Sequence, residues 1–282
     1  MTNITICDLP MGRLGNAIFR YLSSTIFLLN YDAKRDFIIN INKQECFNIG
    51  DNFYIEWKNS LLYNNKKLDM FPGNYLFVGY FQHDDILKKY KNELIEHIKQ
   101  NPDDLLITDG NFGNENIYSY TFSSYKSIDI LTTNKKFDKY DIVFHLRLED
   151  FITYDLVMNP NSLIKILDNY KNEKICFVLN KVNTELEEKY IDYFTKNYNI
   201  VLESNDVITD YHIMKNAKIL CCSCSTLSWI AAFFSETVEL VYFPNYNNPD
   251  RIHENFKKPI ENTILYNFDK CTQQELISIL NN

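Results

Sequence analysis

The chain has no excess of positive charge: its 282 residues carry 29 Lys and Arg against 37 Asp and Glu, a formal net charge of -8. Such a balance cannot neutralise a phosphate backbone, which argues against a nucleic-acid partner. No apolar run approaches membrane-spanning length; the uniformly apolar helical candidate, Trp229 to Phe234, is short. The N-terminus, Met1-Thr2-Asn3-Ile4-Thr5, has no basic segment leading into a signal-like apolar core. Of 7 cysteines, Cys221, Cys222 and Cys224 cluster in an apolar run, but no second Cys or His pair stands at zinc-finger spacing, so they read as buried free thiols. These absences predict a soluble protein in the reducing cytoplasm, without a transmembrane segment.

Apolar material is plentiful, at 45% hydrophobic and 15% aromatic residues, enough for one large core or two ordinary ones. Ile4 to Cys7 reads as a first strand and Ala17 to about Leu29 as a helix. Tyr75 to Phe81 reads as a buried strand, followed by a helix capped by Asp84 or Asp85 and running to about Gln100. The stretch from Phe37 to Asp69 is broken by Asn, Lys and Gly and yields no assignment, and residues 102–139 are rich in Asp, Asn, Gly and Ser. A domain boundary is placed there, giving units 1–137 and 138–282. Beyond it the rhythm is regular. Strands at 141–146, 174–179, 199–202, 218–222 and 238–243 alternate with helices at 161–170, 184–198, 211–216 and 226–234, and a last helix, 272–280, has Thr272 as its cap. That alternation predicts a parallel, helix-covered sheet, a Rossmann-like α/β domain.

The organising stretch is Tyr140 to Phe151. A β-rich apolar run ends abruptly in His145, Arg147, Glu149 and Asp150, so charge arrives at the C-terminal end of a buried strand, where ligands of open α/β sheets sit. A guanidinium there can clamp a phosphate, and a neighbouring carboxylate can take a proton from a hydroxyl; alternatively, Arg147 and Asp150 simply pair with each other. Near the N-terminus, Gly12, Arg13, Gly15 and Asn16 lie between strand and helix, which suits close approach to a nucleotide or sugar or, equally, an ordinary turn. The spacing matches neither G-x-G-x-x-G nor a P-loop. Ser223, Ser225 and Thr226 stand where a strand becomes a helix, either to hold a diphosphate or only to cap the helix. Asp206 and Asp210 flank a loop able to meet a ribose or base, and Asp210 serves equally as a cap. Gln82 and His83 can meet a sugar or form a solvated loop.

Together these segments resemble a family. Gly12-Arg13-Leu14-Gly15-Asn16-Ala17-Ile18-Phe19-Arg20-Tyr21 is similar to the opening block of the α-1,2-fucosyltransferases, glycosyltransferase family 11. Gly79-Tyr80-Phe81-Gln82 resembles that family's second block, His145-Leu146-Arg147-Leu148-Glu149-Asp150 its H-x-R-R-x-D motif, and Ser223 to Ala232 its Ser/Thr-rich block. The four blocks occur in family order. The resemblance implies a GT-B architecture, two Rossmann-like domains facing each other across a cleft. It also implies inverting transfer of a deoxysugar, usually fucose from GDP-fucose, to a hydroxyl of a glycan acceptor, without a metal.

In keeping with that, the chain contains no D-x-D triplet of the kind that holds Mn²⁺ or Mg²⁺ in other glycosyltransferases. The donor-binding set is then Gly12, Arg13, Gly15, Asn16, His145, Arg147, Asp206, Ser223, Ser225 and Thr226. By the same resemblance Arg147 is expected to stabilise the leaving diphosphate, and Asp150, or second Asp155, to be the base. Leu148 stands where the family has its second Arg, Glu149 where Gly is usual, Ala17 for Gln and Ile230 for Trp. These departures keep open another donor, such as a rhamnosyl nucleotide, or a catalytically silent glycan- or nucleotide-binding protein.

Overall fold

The computed structural model describes residues 4–8, 13–31, 33–37, 52–56, 73–78, 81–109, 122–133, 140–245 and 258–281. The chain divides into two units, Met1–Thr133 and Asn134–Asn282. The boundary expected at 137 and 138, the motif residues Gly12, Gly79 and Tyr80, and Arg251, His253 and Lys257 lie outside the described residues.

In the first unit, β1 (Ile4–Asp8), helix α1 (Leu14–Asn30), β2 (Ala33–Phe37), β3 (Asn52–Glu56) and β4 (Gly73–Val78) build a four-stranded sheet in the order β2-β1-β4-β3, every pair parallel. Helix α1 is buried on nearly every residue from Leu14 to Phe27, so it is an internal helix rather than a surface one with a polar face. Its Tyr21 hydroxyl lies 3.1 Å from Asp104 Oδ2 and 3.2 Å from Ser127 Oγ.

The single helix expected after β4 is two, α2 (Asp84–Lys89) and α3 (Lys91–Gln100), separated by Tyr90 at φ -103° and ψ 11°. The N-cap position is His83. Asp84 and Asp85 lie in the first turn, where their charge faces the positive end of the helix dipole. The polar stretch before the expected boundary holds an antiparallel pair, β5 (Leu105–Asp109) with β6 (Phe122–Lys126), and the short helix α4 (Ser127–Leu131).

The second unit runs β7 (Ile142–Leu146), α5 (Glu149–Thr153), β8 (Val157–Met158), α6 (Pro160–Leu167), β9 (Ile175–Leu179), α7 (Glu185–Thr195), β10 (Ile200–Glu203), α8 (Val207–Lys215), β11 (Ile219–Cys221), α9 (Thr226–Phe233), β12 (Leu240–Asn245), β13 (Thr263–Asn267), β14 (Lys270–Cys271) and α10 (Gln273–Leu280). Six strands form one sheet in the order β10-β9-β7-β11-β12-β13, and every pairing is parallel. With this sheet's six strands numbered in chain order, that is the strand order 3-2-1-4-5-6 of a Rossmann-like fold.

All five residues of β7 and of β9 are buried, as expected of strands covered on both faces. Phe144, Phe177, Phe194 and Tyr190 form a chain of ring contacts, with centroids 5.4, 5.5 and 5.3 Å apart, between sheet and helix α7. Local chemistry marks the helix starts. Thr184 and Thr272 form capping boxes with Glu187 and Glu275, and Asn159 caps α6 with Pro160 in its first turn. Helix α8 begins four residues earlier than the expected 211, because Asp206 caps it despite the β-branched run Val207-Ile208-Thr209. The strand order reverses between β7 and β11, and it is outside the C-terminal ends of such strands that open α/β sheets bind their ligands.

Candidate functional site

His145 is the penultimate residue of β7, and Ser223 lies two residues beyond the end of β11. Across the reversal point the Ser223 hydroxyl and His145 Nδ1 are hydrogen-bonded at 2.9 Å, both residues buried. Burial, with a smaller effect of the nearby Arg147 cation, pushes the His145 imidazole down to about 3. The ring is therefore neutral, and its second nitrogen carries whichever role the Ser223 bond leaves it.

Arg147 follows directly on the strand. Its guanidinium lies over the Phe151 ring, 4.5 Å from the centroid, and grips Asp150 at two points: Nε to Oδ1 at 3.0 Å and Nη2 to Oδ2 at 2.6 Å. Asp150 lies in the short helix α5, which sets its carboxylate three residues on from Arg147, within reach of the guanidinium. Both Asp150 oxygens are thus engaged, and the motif's cation and its carboxylate form one unit. Beside this pair is a small cavity of about 10 Å³, room for roughly one water, lined by Arg147, Leu148, Phe151, Met158, Tyr190, Ser223 and Phe268 among others.

Ser225 caps α9, its hydroxyl accepting from the Leu227 N–H at 3.3 Å, and Thr226 is the first residue of that helix. The Ser225 N–H donates to the Ser223 carbonyl at 2.7 Å, which folds the loop tightly onto the His145 partner. Cys224, half-buried between them, has its thiol pushed up by burial, while the Arg147 charge acts in the opposite direction.

Other sequence-nominated residues lie elsewhere. Asp206 sits beyond β10, the edge strand separated from β7 by β9, and its carboxylate accepts from the Ile208 and Thr209 N–H groups and from the Thr209 hydroxyl. Those bonds, the Thr209 hydroxyl first, hold it below the usual carboxylate range. Asp210 does not cap α8. It accepts from the Asn205 N–H at 3.1 Å and the Asn205 side-chain amide at 3.2 Å. Asp155 has a φ of 53°, and its Oδ1 accepts from the backbone N–H of Gln273 at the start of α10, at 2.9 Å.

In the first unit, Arg13 occupies the N-cap position of α1 and Gly15 is buried. Asn16 Oδ1 accepts from Gln82 Nε2 at 3.2 Å, so the first and second sequence blocks meet. The pocket residues that sequence reasoning missed are Phe151, Val157, Met158, Tyr190 and Phe268. Phe151 was legible as the aromatic next to Asp150. The others reach the site through contacts distant in sequence, such as the Tyr190 hydroxyl donating to the Met158 carbonyl at 2.9 Å.

The fold and site define a Rossmann-like α/β unit with an arginine, a neutral imidazole and a hydroxyl-rich helix start at its switch point. No protein-family model matches the chain, and comparison with curated proteins gives no match. Among the described residues no three His, Cys, Asp or Glu side chains gather into a metal-holding group, and no helix is long and apolar enough to cross a membrane.

Proposed function

We propose that the protein is an inverting glycosyltransferase that moves a deoxysugar, fucose from GDP-fucose in the first instance, onto a glycan hydroxyl. The observation that carries this reading is the His145–Ser223 hydrogen bond across the strand-order reversal, with Arg147 and the capped start of α9 beside it. A guanidinium and free N–H groups at a helix start neutralise a leaving diphosphate, the task a divalent ion performs elsewhere. In the reaction the acceptor oxygen forms a bond to the anomeric carbon as the bond from that carbon to the diphosphate oxygen breaks. The diphosphate leaves with the electron pair, and the acceptor hydroxyl's proton passes to a carboxylate, for which Asp150 is the candidate.

The reading carries with it a GT-B architecture, in which Gly12, Arg13, Gly15 and Asn16 of the N-terminal domain meet the donor across a cleft. Leu148, buried against the core cluster, leaves Arg147 as the only arginine of the motif. That single substitution favours a second reading, a nucleotide-binding protein without turnover.

The test begins with a thermal-shift panel of GDP, UDP and dTDP sugars, since a ligand bound only by the folded state raises the melting temperature. It continues with product analysis on glycan acceptors. Stabilisation by GDP-fucose and transfer lowered about 100-fold or more by Arg147→Ala is the expected result. Best stabilisation by UDP or dTDP sugars removes GDP-fucose as donor; binding without product selects the second reading; transfer by Arg147→Ala within a factor of about two of wild type removes Arg147 from its role.

A further inference from the structure

The candidate clamp and the candidate base are bound to each other, and this has a chemical consequence. A guanidinium meets a carboxylate through two parallel N–H donors in the same way that it meets a phosphate. Asp150 occupies both of those donors on Arg147, at 3.0 and 2.6 Å. Resting on the reading above, we infer that Asp150 is an internal stand-in for the donor's diphosphate, and that anion binding exchanges the two. The incoming phosphate oxygens take over Arg147, and the carboxylate, no longer neutralised by the guanidinium, is able to accept a proton.

Three features favour exchange over a permanent structural pair. The side chains are 23% and 27% exposed, so neither charge is stranded in a dry interior when the pair opens, and a pair of this exposure is held by a modest free energy. The Phe151 ring beneath the guanidinium holds it in place whichever anion it faces. Finally, Arg147 also lines the cavity that Ser223 lines, and one phosphate oxygen, about the size of the single water it can hold, can enter there while Asp150 turns away on the short helix α5. The consequence is order: the base becomes available only once the donor's charge has arrived, which protects the carboxylate from pairing with an acceptor in an unproductive complex.

The probe is inorganic pyrophosphate, titrated by calorimetry into wild-type protein and into Asp150→Asn and Asp150→Ala. Removal of the internal competitor is expected to tighten binding about tenfold, the scale of one partly exposed ion pair. In parallel, the Arg147 side-chain Nε–H resonance of the wild-type protein, assigned by its loss in Arg147→Lys, is expected to shift on adding pyrophosphate, together with the Asp150 carboxyl carbon. This second measurement needs no variant at position 150 to fold. Binding by the Asp150 variants that is no tighter than wild type, including no binding by any of them, overturns the exchange, as does an Asp150 carbon signal that stays put while pyrophosphate binds. Tightened pyrophosphate binding with no sugar transfer from any nucleotide sugar keeps the exchange and removes the transferase reading. Transfer by wild type without tightening removes the exchange alone.

Discussion

Asp155 holds the backbone N–H of Gln273 at 2.9 Å, tying the turn after α5 to the first residue of the C-terminal helix α10. The same turn is fastened by β8 pairing with β14 and by the Asn159 N–H donating to the Asp269 carbonyl at 2.8 Å. Asp155 therefore acts in the manner of a helix cap supplied from a distance. Asn keeps a carbonyl oxygen for that bond and tolerates the positive φ of 53°. Asp155→Asn is expected to leave the melting temperature nearly unchanged, whereas Asp155→Ala costs about 1 kcal/mol. Chemical denaturation reads the stability, and sugar transfer by the Asn variant reads the role: full activity assigns Asp155 to scaffolding, and loss of activity in a stable Asn variant makes it the base instead.

Two buried groups give the stability of the second unit opposite acid responses. His145 titrates at about 3 in the folded chain against an ordinary 6.5, so between those values the unfolded chain binds a proton that the folded chain refuses. Stability contributed by the neutral ring is present above pH 6.5 and lost as pH falls, by about 2 kcal/mol between pH 7 and pH 5. His145→Asn, which retains an oxygen able to accept from Ser223, is expected to remove that loss. Urea titrations at pH 7 and pH 5 give the check, and an unchanged difference between the two pH values would rule out His145 as its source.

Asp210 works the other way. Burial is the largest influence and raises its carboxyl to about 6, partly offset by the Asn205 bonds. Between 3.8 and 6 the folded chain holds a proton that the unfolded chain has released, so stability falls as pH rises through that window and stays low above it. Asp210→Asn keeps the acceptor oxygen that both Asn205 groups use and removes the charge. A gain of about 1 to 3 kcal/mol at pH 7, vanishing near pH 4, is the expected outcome of urea titration. A loss at pH 7 would show that the ionised carboxylate is stabilised by more than Asn205.

The parallel sheet was legible because its central strands are buried on both faces and so read as apolar runs; Ile142–Leu146 and Ile175–Leu179 are buried throughout. The capped helices were legible for a local reason too, since Thr184 and Thr272 each stand three residues before a glutamate. Strand β13 escaped notice because it is an edge strand with Ile264 and Leu265 exposed beside polar neighbours, so its pattern is mixed. Strands β8 and β14 are two residues each and pair across more than a hundred positions, which leaves no local periodicity. At the site, the residue types were readable and their partners were not. Sequence showed that Arg147 and Asp150 stood three apart, but whether they faced a ligand or each other depended on α5, a helix too short to announce itself. Asp206 looked like a ribose contact because a carboxylate after a strand serves either purpose, and only the Ile208 and Thr209 bonds make it a cap.

Cys224, next to Ser223 in the chain, offers a chemical reporter of the Arg147 charge. Its neighbours Cys221, at the end of β11, and Cys222 are buried, which keeps both thiols from a reagent in the folded chain. Cys224 is only half-buried, and although burial raises its thiol, the Arg147 cation works against that rise. Maleimide at pH 8, followed by peptide mapping of residues 218–240, is expected to modify Cys224 slowly and to spare Cys221 and Cys222 until the chain is unfolded. Arg147→Ala removes the favourable charge and is expected to slow Cys224 labelling several-fold at fixed pH, shifting its rate profile to higher pH. Pyrophosphate or GDP held at Arg147 offsets the cation that lowers this thiol, so wild-type labelling should fall as either is added, while the Arg147→Ala rate stays indifferent to them. Protection that persists in Arg147→Ala would place the anion away from the guanidinium and detach Cys224 from the site.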